Sequence, residues 1–168
     1  PEAVEVAKAH KAHIMVAVLG EEEKLLERGK LFTKAMAVCC KQKYATGVYT
    51  SGVVFEPRFY EGLADMLKED ELPIFNWVWF GLYRSEGGLN GYTYGMDVFG
   101  KEEMEVLNTD AEPEELRDFL ASLASYVLAC DVTLQDGETI GFSADDKHTI
   151  TRSPGISLPE EQMTLKIG

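Results

Sequence analysis

The chain has 168 residues, 45% of them hydrophobic and 27% charged, which is typical of one globular domain. Its 29 acidic and 16 basic residues give a formal net charge of −13, which disfavours binding to nucleic-acid phosphates or to an anionic membrane surface. The three cysteines, Cys39, Cys40 and Cys130, are too few for a disulfide framework and indicate a reducing compartment. We therefore expect a cytoplasmic protein and a single domain over residues 1–168. Because it starts at Pro1, we also expect the C-terminal part of a longer protein.

The first half of the sequence predicts two strands that alternate with two helices. Residues 12–19 are nearly all apolar and predict a short strand buried on both faces. A helix follows from Glu21, with apolar residues at helical spacing as far as Cys39. Residues 46–55 are rich in β-branched and aromatic residues and predict the second strand, with a bulge or a close backbone approach at Gly52. Pro57 occupies a position where a second helix would begin.

The second half predicts hairpins around one long helix. Residues 74–83 carry the strongest strand pattern, and a glycine-rich turn joins them to a partner strand over residues 92–99. Residues 103–107 predict a further strand, and a helix is expected to begin near Pro113. A second hairpin is predicted from residues 138–142 and 148–152, and residues 154–168 are expected to form a tail or edge extension.

This order of elements predicts an α+β fold. We expect a mixed or mainly antiparallel sheet with helices packed on one face, and a ferredoxin-like arrangement of the middle elements.

Histidines and cysteines are the candidates for a zinc site. His10 and His13 could act as zinc ligands together with Cys39 or Cys40. His13, however, lies at the start of a predicted strand, so a hydrogen-bonded histidine at a strand edge is the favoured interpretation. The cysteines lie towards helix C-termini, which disfavours an activated thiolate. The sequence also lacks glycine-rich phosphate loops and nucleophile motifs, so we expect no metal and no cofactor.

Two acidic residues and a group of aromatic residues remain as candidates for function. Glu103 and Glu105 alternate and would point to the same side of a strand, where they could divide acid and base roles or bind a hard cation. The favoured interpretation is a solvated edge of the sheet. Trp77, Trp79 and Tyr83 would share one face of the predicted strand, and Tyr49, Tyr92 and Tyr94 complete the aromatic set. Helices that cover this face would make the rings part of the core, which we favour; an open face would be the contact surface for a partner or ligand.

Several segments together resemble a known bacterial family. They are residues 7–18, Gly47–Tyr49, Trp77–Tyr83, Gly95–Val106 and Asp136–Gly141. The resemblance is to domain-of-unknown-function family number 4261, whose members often carry an additional N-terminal segment. It implies a bacterial protein and transfers no catalytic residues. The occurrence of related small acidic bacterial domains near toxin-immunity genes points towards binding.

Three functional hypotheses follow. The first, which we favour, is a non-enzymatic protein-binding domain whose acidic charge would suit a basic partner. The second is a small-molecule-binding or hydrolytic enzyme that uses Glu103 and Glu105 beside the aromatic face. The third is an accessory domain of a longer chain. The candidate contact residues are Trp77, Trp79, Tyr49, Glu103, Glu105 and His13, and the oligomeric state stays open.

Overall fold

The structure, a computed structural model, describes residues 2–143 and 147–168. The chain divides into two compact units, Pro1–Trp79 and Phe80–Gly168, called here the first unit and the second unit.

The first unit contains four helices and a small hairpin. The helices are α1 (Glu2–Ala9), α2 (Leu25–Cys40), α3 (Pro57–Ala64) and α4 (Ile74–Trp77), with 3₁₀ turns at Glu22–Lys24 and Asp65–Lys68. The hairpin consists of the antiparallel strands β1 (Val48–Thr50) and β2 (Val53–Phe55).

The core of the first unit lies where α2, α3 and the hairpin meet. Cys40, Val48 and Tyr60 are buried together, and Phe55 packs edge-on against the ring of Tyr60 at 5.6 Å between centroids. Helix α3 begins where the sequence provides a cap, because Pro57 occupies its first turn and the Glu56 carboxylate accepts the Phe59 N–H at 2.8 Å.

Three strand predictions in this unit are corrected by the structure. Residues 10–21 form no regular element, because a strand needs a neighbouring strand for its backbone groups and the unit provides none there. The predicted strand 46–55 is two short strands joined at Ser51 and Gly52, whose φ values of 50° and 72° produce a tight turn instead of a bulge. The predicted strand 74–83 begins as helix α4, which is closed by the Val78 N–H donating to the Ile74 carbonyl at 2.8 Å.

The second unit is a six-stranded mixed sheet with one long helix, α5 (Pro113–Ala129). The strands are β3 (Trp79–Ser85, which starts at the last residue of the first unit), β4 (Gly88–Tyr94), β5 (Met104–Thr109), β6 (Thr139–Ile140), β7 (His148–Pro154) and β8 (Met163–Ile167), in the spatial order β3-β4-β5-β8-β7-β6. Strand β5 pairs with β8 in parallel, while β4 with β5, β7 with β8 and β6 with β7 are antiparallel. The predicted α+β class is confirmed.

Helix α5 packs on one face of this sheet. A capping box between Glu112 and Glu115 starts the helix. A Cβ atom at Gly91 in β4 would lie 2.9 Å from side-chain atoms of Leu116 and Leu120, so the glycine allows the helix to approach closely. Strand register places further buried residues on this same face, namely Met104, Val106, Ile150, Leu165 and Ile167.

Two topological expectations for the second half are also corrected. Residues 154–168 do not form a tail or edge extension, since Met163–Ile167 is β8, between β5 and β7 inside the sheet. The order of elements in the second unit is β-β-β-α-β-β-β, with one α-helix among its described residues, whereas a ferredoxin-like unit has the order β-α-β-β-α-β.

Candidate functional site

Glu103 lies immediately before β5, and its carboxylate is buried inside the connection between β4 and β5. Its Oε1 accepts the backbone N–H groups of Gly95 and Met96 at 2.7 and 2.9 Å, and its Oε2 accepts the Thr93 hydroxyl at 2.7 Å. Burial raises the pKa of Glu103 above its ordinary value, although these donors oppose the shift. The carboxylate therefore holds the start of the 95–103 connection against the end of β4.

The raised pKa of Glu103 predicts how the stability of the protein depends on pH. A carboxyl group whose pKa is higher in the folded than in the unfolded state stabilises the fold most when it is protonated. Its contribution to the free energy of unfolding is therefore complete below about pH 4.5 and is lost as the pH rises through the folded-state pKa. We therefore expect the free energy of unfolding of the wild type, minus that of Glu103→Gln, to decrease from pH 4.5 towards neutrality. Urea titrations of both proteins across this range measure the difference, and a constant or rising difference would contradict the assignment.

Glu105 lies within β5 and is also buried, but it holds a different segment. Its Oε1 accepts the N–H groups of three consecutive residues, Ile156, Ser157 and Leu158, each at 3.1 Å. Its Oε2 lies 3.2 Å from Nζ of Lys166, which also donates to the Pro154 carbonyl at 2.8 Å. The carboxylate thus fastens the connection between β7 and β8 onto the sheet.

The two carboxylates are therefore not on a solvated edge of the sheet, as the sequence had favoured. Both are buried, and the two carboxylates accept hydrogen bonds from two different segments of the chain. A surface groove of about 440 Å³ in the second unit lies elsewhere and is lined by Tyr126, Val132, Leu134, Gly137, Glu138, Thr139 and Ile140. Neither Glu103 nor Glu105 lines it.

The predicted aromatic residues separate into core and surface. Trp77 is buried, and its indole N–H donates to the hydroxyl of buried Thr33 at 2.7 Å. Trp79 is 46% exposed and Tyr49 is 74% exposed. Helix α4 causes the separation of the tryptophans, because Trp77 ends the helix and Trp79 begins a strand, so they do not alternate along one strand.

The histidine and cysteine candidates do not come together. His13 is exposed within the irregular segment 10–21, so it is not at a strand edge, and its ring lies 6.5 Å from that of His10. Burial raises the pKa of Cys40 to about 11, which keeps this thiol protonated and poorly nucleophilic. Among residues 2–143 and 147–168, no three His, Cys, Asp or Glu side chains are placed to hold a metal ion.

The first unit contains a segment of apolar residues whose largest side chains are exposed. Residues 13–19, named here the apolar segment, include Ile14, Met15 and Leu19, which are 78%, 85% and 90% exposed. Their strand-like sequence was evident, but the sequence predicted burial on both faces, and exposure could not be read from the pattern.

The second unit also presents an aromatic surface, on the side of the sheet opposite α5. Tyr92 pairs with Glu105 and therefore lies on that side, and its ring covers Gly81 of β3. Strand alternation adds Tyr83 and Tyr94 to this side. The Tyr83 hydroxyl lies 3.1 Å from Oγ of Ser157, in the segment that Glu105 holds. We name Tyr83, Tyr92, Tyr94 and Ile156 the tyrosine face.

Comparisons with known proteins identify a family without an assigned activity. No helix among the described residues is both long and apolar enough to cross a membrane. No curated protein and no solved structure matches the chain. Residues 92–168 match the family described as Domain of unknown function (DUF4261), a range that includes β5 to β8 and α5. The match supports the family indicated by the sequence resemblance, over residues 92–168 of the 168 in the chain.

Proposed function

We propose that this chain is a non-enzymatic, cytoplasmic protein-binding module. The observation that carries the proposal is the exposure of the apolar segment, in which three large side chains, Ile14, Met15 and Leu19, are at least 78% exposed. Contiguous exposed apolar side chains are uncommon on monomeric proteins and mark interaction sites.

The sequence of the apolar segment favours one mode of binding. Its apolar residues lie on both sides of an extended chain, since Ile14, Val16 and Val18 alternate with Met15, Ala17 and Leu19. Extended segments of this kind are stable when they join a sheet edge and are covered on both faces. We therefore place the partner's contact along residues 13–19, where His13 is the first residue. The exposed rings of Tyr49 and Trp79 provide further contact residues in the same unit.

The alternative, a small-molecule-binding or hydrolytic enzyme, has less support. General acid and base groups must reach the substrate. Glu103 and Glu105 are instead buried and bound by backbone N–H groups of their own chain, which favours a structural role for both.

Site-specific cross-linking tests the binding role of the apolar segment. A photoreactive amino acid at Met15 is expected to give a discrete adduct with a partner protein in cells. A probe at Leu31, an exposed apolar residue of α2, is the matched control and is expected to give none. In the variant Ile14→Ser/Leu19→Ser the adduct from position 15 should disappear, while the free energy of unfolding changes by no more than about 0.5 kcal/mol. Equal adduct patterns from positions 15 and 31 would count against the proposal.

A further inference from the structure

The formal charge is distributed unequally between the two units. Residues 80–168 contain 17 of the 29 acidic and 6 of the 16 basic residues, so they carry −11 of the total −13. Among the described residues, four of these basic side chains pair with acidic residues of the same unit, in the pairs Lys101–Asp131, Arg117–Asp118, Arg152–Glu102 and Lys166–Glu105. The remaining surface is therefore strongly acidic, and its long-range field attracts cations.

Exposed acidic residues lie close to the tyrosine face in the sequence. Tyr94 is 48% exposed and Tyr83 is 38% exposed, and Ile156 is exposed on the connection that Glu105 holds. Exposed acidic residues follow each of these positions closely in the chain, namely Glu86, Asp97, Glu160 and Glu161. Strand register places Lys166 of β8 on this side, where its side chain is largely buried and paired with Glu105.

The acidic residues of α5 are a weaker candidate for the same role. Glu112 and Glu115 bond to backbone N–H groups of the helix start, and Asp118 pairs with Arg117. Tyr126 is the exposed tyrosine of α5, whereas the tyrosine face combines two exposed rings with exposed acidic residues that follow them closely in the chain.

We infer that the tyrosine face binds an arginine-rich segment of a protein partner. Guanidinium groups stack on tyrosine rings and also pair with carboxylates, so exposed rings on a strongly acidic unit favour arginine over lysine. The inference rests on the proposed protein-binding function and adds the chemistry of the partner and a second contact surface. Charge complementarity selects this occupant, because a second copy of an equally acidic unit would be repelled.

A short peptide of alternating arginine and glycine residues is the probe, and titration calorimetry on the full chain measures its Kd. We expect Tyr83→Ser/Tyr94→Ser to weaken binding by about tenfold, and Tyr126→Ser, the matched control on α5, to change it by less than about twofold. The corresponding lysine peptide should bind more weakly, and added salt should weaken both. Tyr83→Phe keeps the ring but loses the hydroxyl contact to Ser157. We expect near wild-type affinity for this variant, which would show that the ring stacks on arginine and that the contact to the β7–β8 connection is not required.

Three results would overturn the inference. If the wild type and the double variant bind the peptide with equal affinity, the peptide binds the acidic surface in general and not the tyrosine face. Absence of any peptide binding would exclude an arginine-rich partner, while the cross-link from position 15 would still decide the proposed function independently. If sedimentation shows that the wild type is a dimer and that Tyr83→Ser/Tyr94→Ser is a monomer, the tyrosine face contacts a second copy of the chain.

Discussion

Replacing Glu105 with alanine is expected to lower the free energy of unfolding by about 3–5 kcal/mol. The substitution leaves Lys166 as a largely buried cation without its partner and removes the acceptor of three consecutive N–H groups, at Ile156, Ser157 and Leu158. Unsatisfied buried donors and unpaired charges are among the most costly single defects in a protein. Urea denaturation followed by circular dichroism measures the loss.

Two variants identify the origin of that loss. Glu105→Gln retains an oxygen for the backbone donors but removes the charge opposite Lys166, so an intermediate loss is expected. Glu161→Ala removes an exposed carboxylate from the same connection and should change stability by no more than about 0.5 kcal/mol. A loss below about 1 kcal/mol for Glu105→Ala would show that the carboxylate does not hold this segment.

Replacing Leu120 with alanine is expected to cost about 2–5 kcal/mol of stability. Leu120 is fully buried on α5, and its side chain lies against Gly91 of β4. Truncation removes apolar contacts and leaves a cavity between helix and sheet, where the backbone of β4 limits collapse. Thermal and urea denaturation measure the effect.

Ser122→Ala is the matched control for Leu120→Ala, because Ser122 lies on the exposed side of the same helix. Its effect should stay within about 0.5 kcal/mol. Similar stabilities for Leu120→Ala and Ser122→Ala would contradict the assigned packing of α5 on the sheet.

Elements with local signals could be predicted from the sequence, and α5 is the clearest example. Its apolar residues recur at helical spacing, and Pro113 with the Glu112–Glu115 box marks its start. Strand β8 was missed because its place depends on parallel pairing with β5, about 60 residues earlier in the chain. No local pattern reports such a partner.

The candidate site shows the same limit. Alternation predicted that Glu103 and Glu105 point to the same side of a strand, but the donors of Glu105 lie about 50 residues further along the chain. Their burial therefore depends on tertiary structure that local spacing cannot show. Trp77 and Trp79 were placed on one strand because the four-residue helix α4 has no strong periodic signal.

Hydrogen exchange on the isolated chain, read by mass spectrometry, tests the central claim most directly. The account predicts rapid exchange of the amides of residues 13–19, because this segment has no strand partner in the described structure. Slow exchange is predicted for Ile156, Ser157 and Leu158, whose N–H groups are bound by Glu105. Protection of residues 13–19 in the isolated chain would show that the segment is already paired, and would remove the observation on which the protein-binding function rests.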